Sequence, residues 1–289
     1  MKLSPTFPAL LWFLSMAGLL PGQSDWHEPF PPHRIADGLY YVGSRGLASY
    51  LLTSRQGHIL INSSFERTVP IIRKNVEDLG LKFTDIKILL CSHAHSDHVE
   101  GHALIRELTG ARVEVMEGDA EVIRNGGKGQ YLYREGWRPC PVDRVLKDRD
   151  TVSLGGMTLV ARHTPGHTRG CTTWTFPTLD RGQTLNVVII GSPNVNPGYQ
   201  LLTNRDYPEI ADDFRKTFRL LKELPCDIFL GAHGNYYGME SKVALLKAEP
   251  HRNPFIDPQG YQRYVENRDQ AFRDVARSQT KAGEKPAQK

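Results

Sequence analysis

The segment 92–98 constrains this chain more than any other feature, because it places three histidines and one aspartate within six consecutive positions. Imidazole nitrogens and carboxylate oxygens are ligands that zinc and related divalent ions prefer. The alternate residues His93 and His95 can point to one side of the loop, and Asp97 and His98 to another. The spacing therefore predicts a site for two metal ions.

Two further histidines lie in glycine-containing turns, each after an apolar stretch that predicts a strand. His167 lies in the turn 164–168 and His233 in the turn 231–234. Glycine lets the backbone approach a site closely or adopt a positive φ. Because the segment 92–98 also follows an apolar stretch, the three loops together predict one metal site at the rim of a sheet structure.

Apolar periodicity divides the chain into short strands and amphipathic helices. Strands are predicted at 39–42, 49–53, 58–61, 86–91, 112–116, 151–154, 157–163, 171–176, 185–190 and 227–230, and helices at 69–79, 99–108, 208–224 and 258–277. The two halves are comparable, and no long polar linker separates them. This pattern predicts an α/β fold in which two sheets pack face to face, with helices on both outer surfaces.

The first residues resemble a secretory signal peptide, in which Lys2 precedes an apolar run over 7–20. We expect a signal peptide over 1–22 with cleavage near Gly22 to Ser24, a folded domain over 23–277, and a disordered polar tail over 278–289. The apolar run is shorter than the roughly twenty residues of a membrane span, and an uncleaved anchor helix is the alternative. The expected location is therefore periplasmic or secreted, with no membrane segment after cleavage.

Composition limits the partners and the redox chemistry. A chain of 289 residues with 39% hydrophobic content can bury a large core, and its formal net charge of +4 is too small and too scattered to indicate nucleic acid binding. The cysteines Cys91, Cys140, Cys171 and Cys226 allow three complete disulfide pairings, which the sequence leaves open. No Cys-x-x-Cys pair occurs, which argues against cysteine as a metal ligand.

The three histidine motifs resemble those of the metallo-β-lactamase superfamily. They read His93-Ala-His-Ser-Asp-His98, Pro165-Gly-His-Thr168 and Gly231-Ala-His-Gly234. The resemblance covers nearly the whole mature chain and implies a four-layer αββα sandwich, with the metal site at one rim of the two packed sheets. Longer segments at 170–174, 195–200 and 226–234 are similar to the third subclass of true metallo-β-lactamases.

The resemblance implies two Zn²⁺ ions per chain and a role for each of eight residues. His93, His95 and His167 would hold the first zinc; Asp97, His98 and His233 would hold the second; Ser192 and Asn194 would bind a substrate carboxylate, directly or through water. Hydrolases of thioesters and lactones in the superfamily have an aspartate where this chain has Ser192, and the first and second subclasses have a cysteine there. Serine at this position is typical of the third subclass.

One position departs from the superfamily pattern. Many members have an aspartate after an early strand, where this chain has Asn62. Asparagine can still form hydrogen bonds to the backbone and to a ligand histidine, although it carries no charge. We expect a tuned rather than abolished site and leave the role of Asn62 open.

The resemblance implies a zinc-dependent β-lactam hydrolase that confers antibiotic resistance. A metal-bound hydroxide would open the lactam ring of penicillins, cephalosporins and/or carbapenems, and Asp97 would orient the nucleophile or pass a proton. The alternatives are a superfamily hydrolase of a lactone, ester or thioester, and a non-catalytic zinc-binding protein. Serine catalysis is disfavoured, because neither a Gly-x-Ser-x-Gly elbow nor a Ser-x-x-Lys motif with its companions occurs. The expected partner is a small molecule, and the oligomeric state is left open.

Overall fold

The computed structural model describes residues 24–131 and 136–283, so the predicted signal peptide over 1–22 lies outside the described residues. Seven strands form the first sheet, with neighbours in chain order. They are β1 (His33–Ala36), β2 (Leu39–Tyr41), β3 (Tyr50–Ser54), β4 (Gly57–Ile61), β5 (Ile86–Leu90), β6 (Arg112–Met116) and β7 (Arg144–Leu146). The strands β1 to β4 pair antiparallel, and β4 to β7 pair parallel.

Five strands from the second half of the chain form the second sheet, in the order β12-β11-β10-β9-β8. They are β8 (Thr151–Leu154), β9 (Met157–His163), β10 (Thr172–Asp180), β11 (Gln183–Ile190) and β12 (Ile228–Gly231). The strand β12 pairs parallel with β11, because helical chain connects the two, and the other pairs are antiparallel.

Seven α-helices accompany the two sheets within the described residues. They are α1 (Val69–Asp78), α2 (Ser96–Val99), α3 (His102–Thr109), α4 (Glu117–Arg124), α5 (Ile210–Glu223), α6 (Met239–Ala248) and α7 (Pro258–Gly283). Short 3-10 turns occur at Ser24–His27, Glu66–Thr68, Phe83–Asp85 and Gly234–Tyr236. No helix in the described part of the chain combines the length and apolarity that a membrane span needs.

Alternating side chains of the first sheet belong to two separate apolar cores. Ile59 and Ile61 of β4 pack in one core with Trp174 and Val187 of the second sheet, which lies between the sheets. Leu60, between them in sequence, packs in the other core with residues of α1 and α3. The helices α5, α6 and α7 contribute buried residues to the same cluster as Trp174 and Val187 of the second sheet. The layers are therefore helix, sheet, sheet and helix, which confirms the predicted αββα sandwich.

The helix predicted at 99–108 is interrupted in the structure. It divides into α2 and α3 at Gly101, whose amide donates to the carbonyl of Ser64 over 2.9 Å. A Cβ atom at Gly101 would lie 2.6 Å from the carbonyl oxygen of Ser63. The close approach of two backbones therefore breaks the helix at this glycine.

The tail predicted over 278–289 is helical as far as Gly283, so the prediction of disorder is wrong for 278–283. The side chain of Gln279 explains the difference. It donates to the carbonyl of Tyr199 and accepts from the amide of Leu201, both over 2.7 Å. The polar composition of the segment predicts disorder because it carries no information about these two contacts with a distant loop. Residues 284–289 lie outside the described residues.

All four cysteines are free thiols in the structure. Cys91, Cys140 and Cys171 are buried, and Cys226 is half-buried. No cysteine belongs to a candidate metal-ligand group within the described ranges. This arrangement agrees with the expectation that cysteine is not a ligand here.

Phe214 connects α5 to the rest of the second sheet's core, and its loss is expected to destabilise the fold. Its fully buried ring stacks on Phe218 and Phe272 and packs against the backbone of Gly166. Phe214→Ala should lower the free energy of unfolding by about 3–5 kcal/mol, because it leaves a cavity. Urea denaturation measures the change. The control Leu179→Ala, on a side chain that is 50% exposed, should shift stability little; equal losses in both variants would contradict the prediction.

Candidate metal centre

Loops from both sheets meet at one rim of the sandwich. The loop after β5 comes from the first sheet, and the loops after β9 and β12 come from the second. Three backbone hydrogen bonds among the described residues connect the sheets there: Thr172 donates to the carbonyl of Ser92 over 2.7 Å, Ala48 to that of Ala232 over 3.1 Å, and Gly234 to that of Gly46 over 3.2 Å. Backbone hydrogen bonds between the loops therefore bring together histidines that are distant in sequence.

The six predicted ligand side chains come together as two groups of three. One group is His93, His95 and His167, and the other is Asp97, His98 and His233. Within each group the potential ligand atoms all lie within 4.8 Å of one another. The grouping matches the division expected from the alternation in 92–98. Three nitrogen or oxygen donors at this spacing fit a zinc ion and leave room for a further ligand.

Burial keeps the imidazoles in the form that binds metals. It lowers the pKa of His167 to about 4, and together with the neighbouring imidazole of His98 it lowers the pKa of His233 to about 3. Burial and the facing imidazoles also hold the pKa values of His93 and His95 well below their usual range. These four side chains are therefore neutral at pH 7, with a lone pair available.

Asp97 is ionised in this environment. Burial alone would raise its pKa, but His98 and His233 lower it overall. Its Oδ2 atom lies 3.1 Å from Nε2 of His98 and 3.5 Å from Nε2 of His233. The carboxylate therefore lies beside both imidazoles of its group and can contribute negative charge to a bound cation.

Hydrogen bonds orient two of the imidazoles. Nδ1 of His167 lies 2.7 Å from the carbonyl oxygen of Asn194, which can only accept, so this nitrogen carries the proton. The lone pair is then on Nε2, the tautomer that ligation through Nε2 requires. Nδ1 of His93 lies 3.1 Å from the hydroxyl of Ser92. Backbone and side-chain partners thus set the ring orientations before any ion is bound.

Asp119, on α4, connects two of the three loops and was missed by the sequence analysis. Its buried carboxylate accepts from the amide of Ala94 over 2.7 Å, from the hydroxyl of Thr168 over 2.8 Å and from the amide of Gly170 over 2.8 Å. Burial raises the pKa of Asp119, while the three donors favour its ionised form. The residue lies 25 positions from one partner and 51 from another, so no local motif reveals its role.

Asn62 acts on the backbone of the site. It adopts a φ of 67°, its side-chain oxygen accepts from the amide of Ser92 over 2.7 Å, and its side-chain NH₂ donates to the carbonyl of Ala48 over 3.2 Å. Asparagine tolerates this left-handed conformation better than most residues. Both contacts are to backbone atoms, so Asn62 positions the start of the ligand loop and uses an NH₂ group that aspartate lacks.

Tyr236 occupies the hydrogen-bonding groups of both predicted substrate contacts. Its hydroxyl accepts from the side-chain NH₂ of Asn194 over 2.7 Å and lies 3.2 Å from the hydroxyl of Ser192. Ser192 is only 2% exposed. The sequence analysis did not identify Tyr236, although it follows His233 by three positions. Contact of Ser192 and Asn194 with a substrate carboxylate remains a prediction, and in this structure both side chains are engaged with Tyr236.

The family model and the most similar solved structures both indicate the metallo-β-lactamase superfamily. The model of the metallo-β-lactamase superfamily matches residues 44–181. The native FEZ-1 metallo-β-lactamase of Legionella gormanii is 46% identical, with a TM-score of 0.86, over 88% of this chain and 98% of that one. The subclass B3 enzyme BJP-1 of Bradyrhizobium japonicum is 35% identical, with a TM-score of 0.84, over 91% and 100% of the two chains.

Curated relatives found by sequence have other names. A hydroxyacylglutathione hydrolase of Fuscovulum blasticum is 34% identical over 98 residues, which are 34% of this chain and 31% of that protein. The human mitochondrial persulfide dioxygenase ETHE1 is 29% identical over 128 residues, which are 44% and 42% of the two chains. The match therefore spans less than half the length of these curated relatives.

Replacing Asp119 is expected to weaken metal binding without removing a ligand. In Asp119→Asn an NH₂ group replaces one acceptor oxygen and opposes the donors of Ala94, Thr168 or Gly170. Zinc affinity should fall by about 10- to 100-fold, as for other groups that orient ligands. Competition with a chromophoric chelator measures the affinity, and far-UV circular dichroism checks the fold. Glu117→Gln, at an exposed position of the same helix, should bind zinc normally; matching affinities in the two variants would refute the role.

Proposed function

Because the chain belongs to the metallo-β-lactamase superfamily, we propose that it is a zinc-dependent β-lactam hydrolase. The relatives that cover most of the chain are metallo-β-lactamases, and the proposal adds the substrate: the four-membered lactam of penicillins, cephalosporins or carbapenems. The likeness to the metallo-β-lactamases FEZ-1 and BJP-1 extends over almost the whole chain, whereas the likeness to the hydroxyacylglutathione hydrolase is partial. This difference in extent favours the lactam as substrate.

One observation carries the proposal. The residue that follows β11 by two positions is Ser192, whose hydroxyl lies beside Tyr236. In the described residues, Asp97 is the single carboxylate among the two ligand groups. A carboxylate shared between the groups is the feature expected of thioester and lactone hydrolases in this superfamily, and serine in its place is the feature of the third β-lactamase subclass.

The two ligand groups fit a pair of zinc ions. Each contributes three protein donors, so each ion would keep a position for water or substrate, unlike structural zinc sites, in which protein ligands fill the coordination shell. When bound, zinc polarises a carbonyl oxygen and lowers the pKa of a coordinated water to about 7. The open positions also argue against a protein that only stores or is stabilised by zinc.

The protein's own residues hold and orient the reacting groups. The lowered pKa of Asp97 keeps it ionised, so its oxygen atoms can accept a hydrogen bond from a nucleophilic water and fix its direction. The backbone contact between His167 and Asn194 fixes the ring of a ligand. Trp26 packs against His233, with ring centroids 5.4 Å apart, and so limits the positions that this imidazole can adopt.

Export of the protein from the cytoplasm is part of the same proposal. A signal peptide over 1–22 would deliver the enzyme to the periplasm or the medium, where β-lactams act on cell-wall synthesis and where hydrolysis confers resistance. N-terminal sequencing of the secreted protein tests it. A mature chain that begins near residue 23 supports export, and an intact Met1 in a soluble cell fraction contradicts it.

A thioester hydrolase is the second candidate, because one hydroxyacylglutathione hydrolase shares 34% identity over 98 residues with this chain. S-lactoylglutathione and a panel of lactones would be assayed beside β-lactams on one preparation of measured zinc content. Turnover of the thioester with no turnover of any β-lactam would replace the first proposal by the second.

Hydrolysis of nitrocefin and meropenem by the purified protein is the direct test. We expect turnover that a chelator abolishes and added zinc restores. Asp97→Ala and His233→Ala should each lower kcat/KM by about 100-fold or more, since metal polarisation contributes several kcal/mol and about 1.4 kcal/mol corresponds to a tenfold rate. His251→Ala, an exposed histidine outside both groups, is the matched control. Protein that holds two zinc ions and hydrolyses neither compound would refute the proposal.

A further inference from the structure

His98 differs from His167, because no described group outside the metal centre forms a hydrogen bond to its ring. Its Nδ1 atom is shielded from water and has no hydrogen-bond partner among the described residues. Its Nε2 atom faces the other two members of its own ligand group, Asp97 at 3.1 Å and His233 at 3.2 Å. Nδ1 of His167, in contrast, donates to a backbone carbonyl. The position of the His98 ring therefore depends on where its backbone lies.

The loop that follows β4 holds the backbone of His98. The amide of Ser63 donates to the carbonyl oxygen of His98 over 2.9 Å, and the Ser63 hydroxyl lies 3.3 Å from the same oxygen. The next residue, Ser64, accepts from the amide of Gly101 over 2.9 Å. Ser63 and His98 are both fully buried. Because water does not reach them, it cannot replace these hydrogen bonds.

A second buried histidine contacts the Ser63 hydroxyl. Nδ1 of His102, on α3, lies 2.7 Å from Oγ of Ser63. His102 is fully buried, and burial lowers its pKa to about 3, so its ring is neutral and carries one proton. Its Nε2 atom has no hydrogen-bond partner in the described part of the chain, and the residue belongs to neither ligand group. His102 therefore acts on the metal centre through Ser63.

The possible hydrogen bonds determine which nitrogen of His102 carries the proton. The carbonyl of His98 can only accept, whereas a serine hydroxyl donates one hydrogen bond and can accept another. With the proton on Nδ1, His102 donates to Ser63, and Ser63 donates to His98. With the proton on Nε2, Ser63 donates to His102, and its hydroxyl bond to His98 is lost. The first arrangement makes two hydrogen bonds instead of one, and it leaves no N–H of the buried ring without a partner.

We propose that Ser63 and His102 are positioning residues that hold His98 in place for the second metal ion. The three residues span 39 positions of the sequence, and hydrogen bonds join them in the order His102, Ser63, His98. A ligand that is already held where an ion binds loses less conformational freedom on binding, so the affinity is higher. The inference rests on the proposed function for the presence of two ions and deepens it, because it assigns the loop after β4 to the second site.

Cobalt(II) titration of the metal-free protein, in competition with a chelator, tests the role of Ser63, because bound cobalt absorbs visible light. The absorption band that is missing in His98→Ala identifies the ion of the second group. Ser63→Ala should weaken the binding of that ion by about 10- to 100-fold, as for other groups that orient ligands, and leave the other ion unchanged. The matched control is Ser49→Ala, which removes a hydroxyl that is equally buried and has no described partner.

His102 is tested in the same titration. His102→Leu removes the donor and should weaken the second ion as Ser63→Ala does. His102→Asn keeps an NH₂ donor close to the position of Nδ1 and should restore part of the affinity. Nitrogen-15 NMR of the imidazoles in the parent protein should show the proton of His102 on Nδ1, and this measurement requires no variant that folds.

Metal binding separates this inference from the proposed function, because it requires no turnover. A protein that shows the expected losses but hydrolyses no β-lactam would refute the hydrolase and support the positioning role. Equal weakening of both ions in Ser63→Ala overturns the role, because the residue would then act only on the fold, and so does normal binding of the second ion. A proton on Nε2 of His102, or a parent protein that binds no ion at the second group, also overturns it.

Discussion

The metal centre depends on one buried carboxylate that none of the ligand motifs contains. Asp119 accepts hydrogen bonds from the loop after β5 and from the loop after β9. Those loops belong to different sheets, so this carboxylate adds side-chain hydrogen bonds to the backbone contacts that join the two halves of the sandwich at this rim. Burying a carboxylate is costly, and three donors offset that cost only while both loops keep their positions. The same interaction therefore fixes the relative position of His95 and His167, which lie beside Ala94 and Thr168.

The sequence predicted those parts of the site that are local. The grouping of the six candidate ligand side chains was predictable, because four lie within six positions and the other two follow strands in glycine-containing turns. The layers were predictable because residues such as Ile59, Leu60 and Ile61 alternate between two cores. Asp119 and Tyr236 were not predictable, because their roles arise from contacts between segments far apart in sequence. A single aspartate or tyrosine in a chain carries no pattern that would mark it.

The helical extension at the C-terminus illustrates a different limit. Composition describes what a segment does in water on its own, and the polar run after 277 has too little apolar surface to fold alone. In the protein it continues a helix that is already packed through Phe272. Propagating a helix by one turn costs far less than starting one, so two side-chain hydrogen bonds from Gln279 suffice. Composition alone cannot reveal such continuation from a neighbouring element.

The two hydrogen bonds of Gln279 also have a consequence for the stability of the metal centre. Gln279 holds the backbone at Tyr199 and Leu201, and Tyr199 in turn donates to the carbonyl of His167 over 2.7 Å. Chain ends are ordinarily where exopeptidases act without harm. Here, loss of Gln279 would release a loop that supports His167, a candidate ligand, so the integrity of the metal centre would depend on the last helical turns as well as on the core.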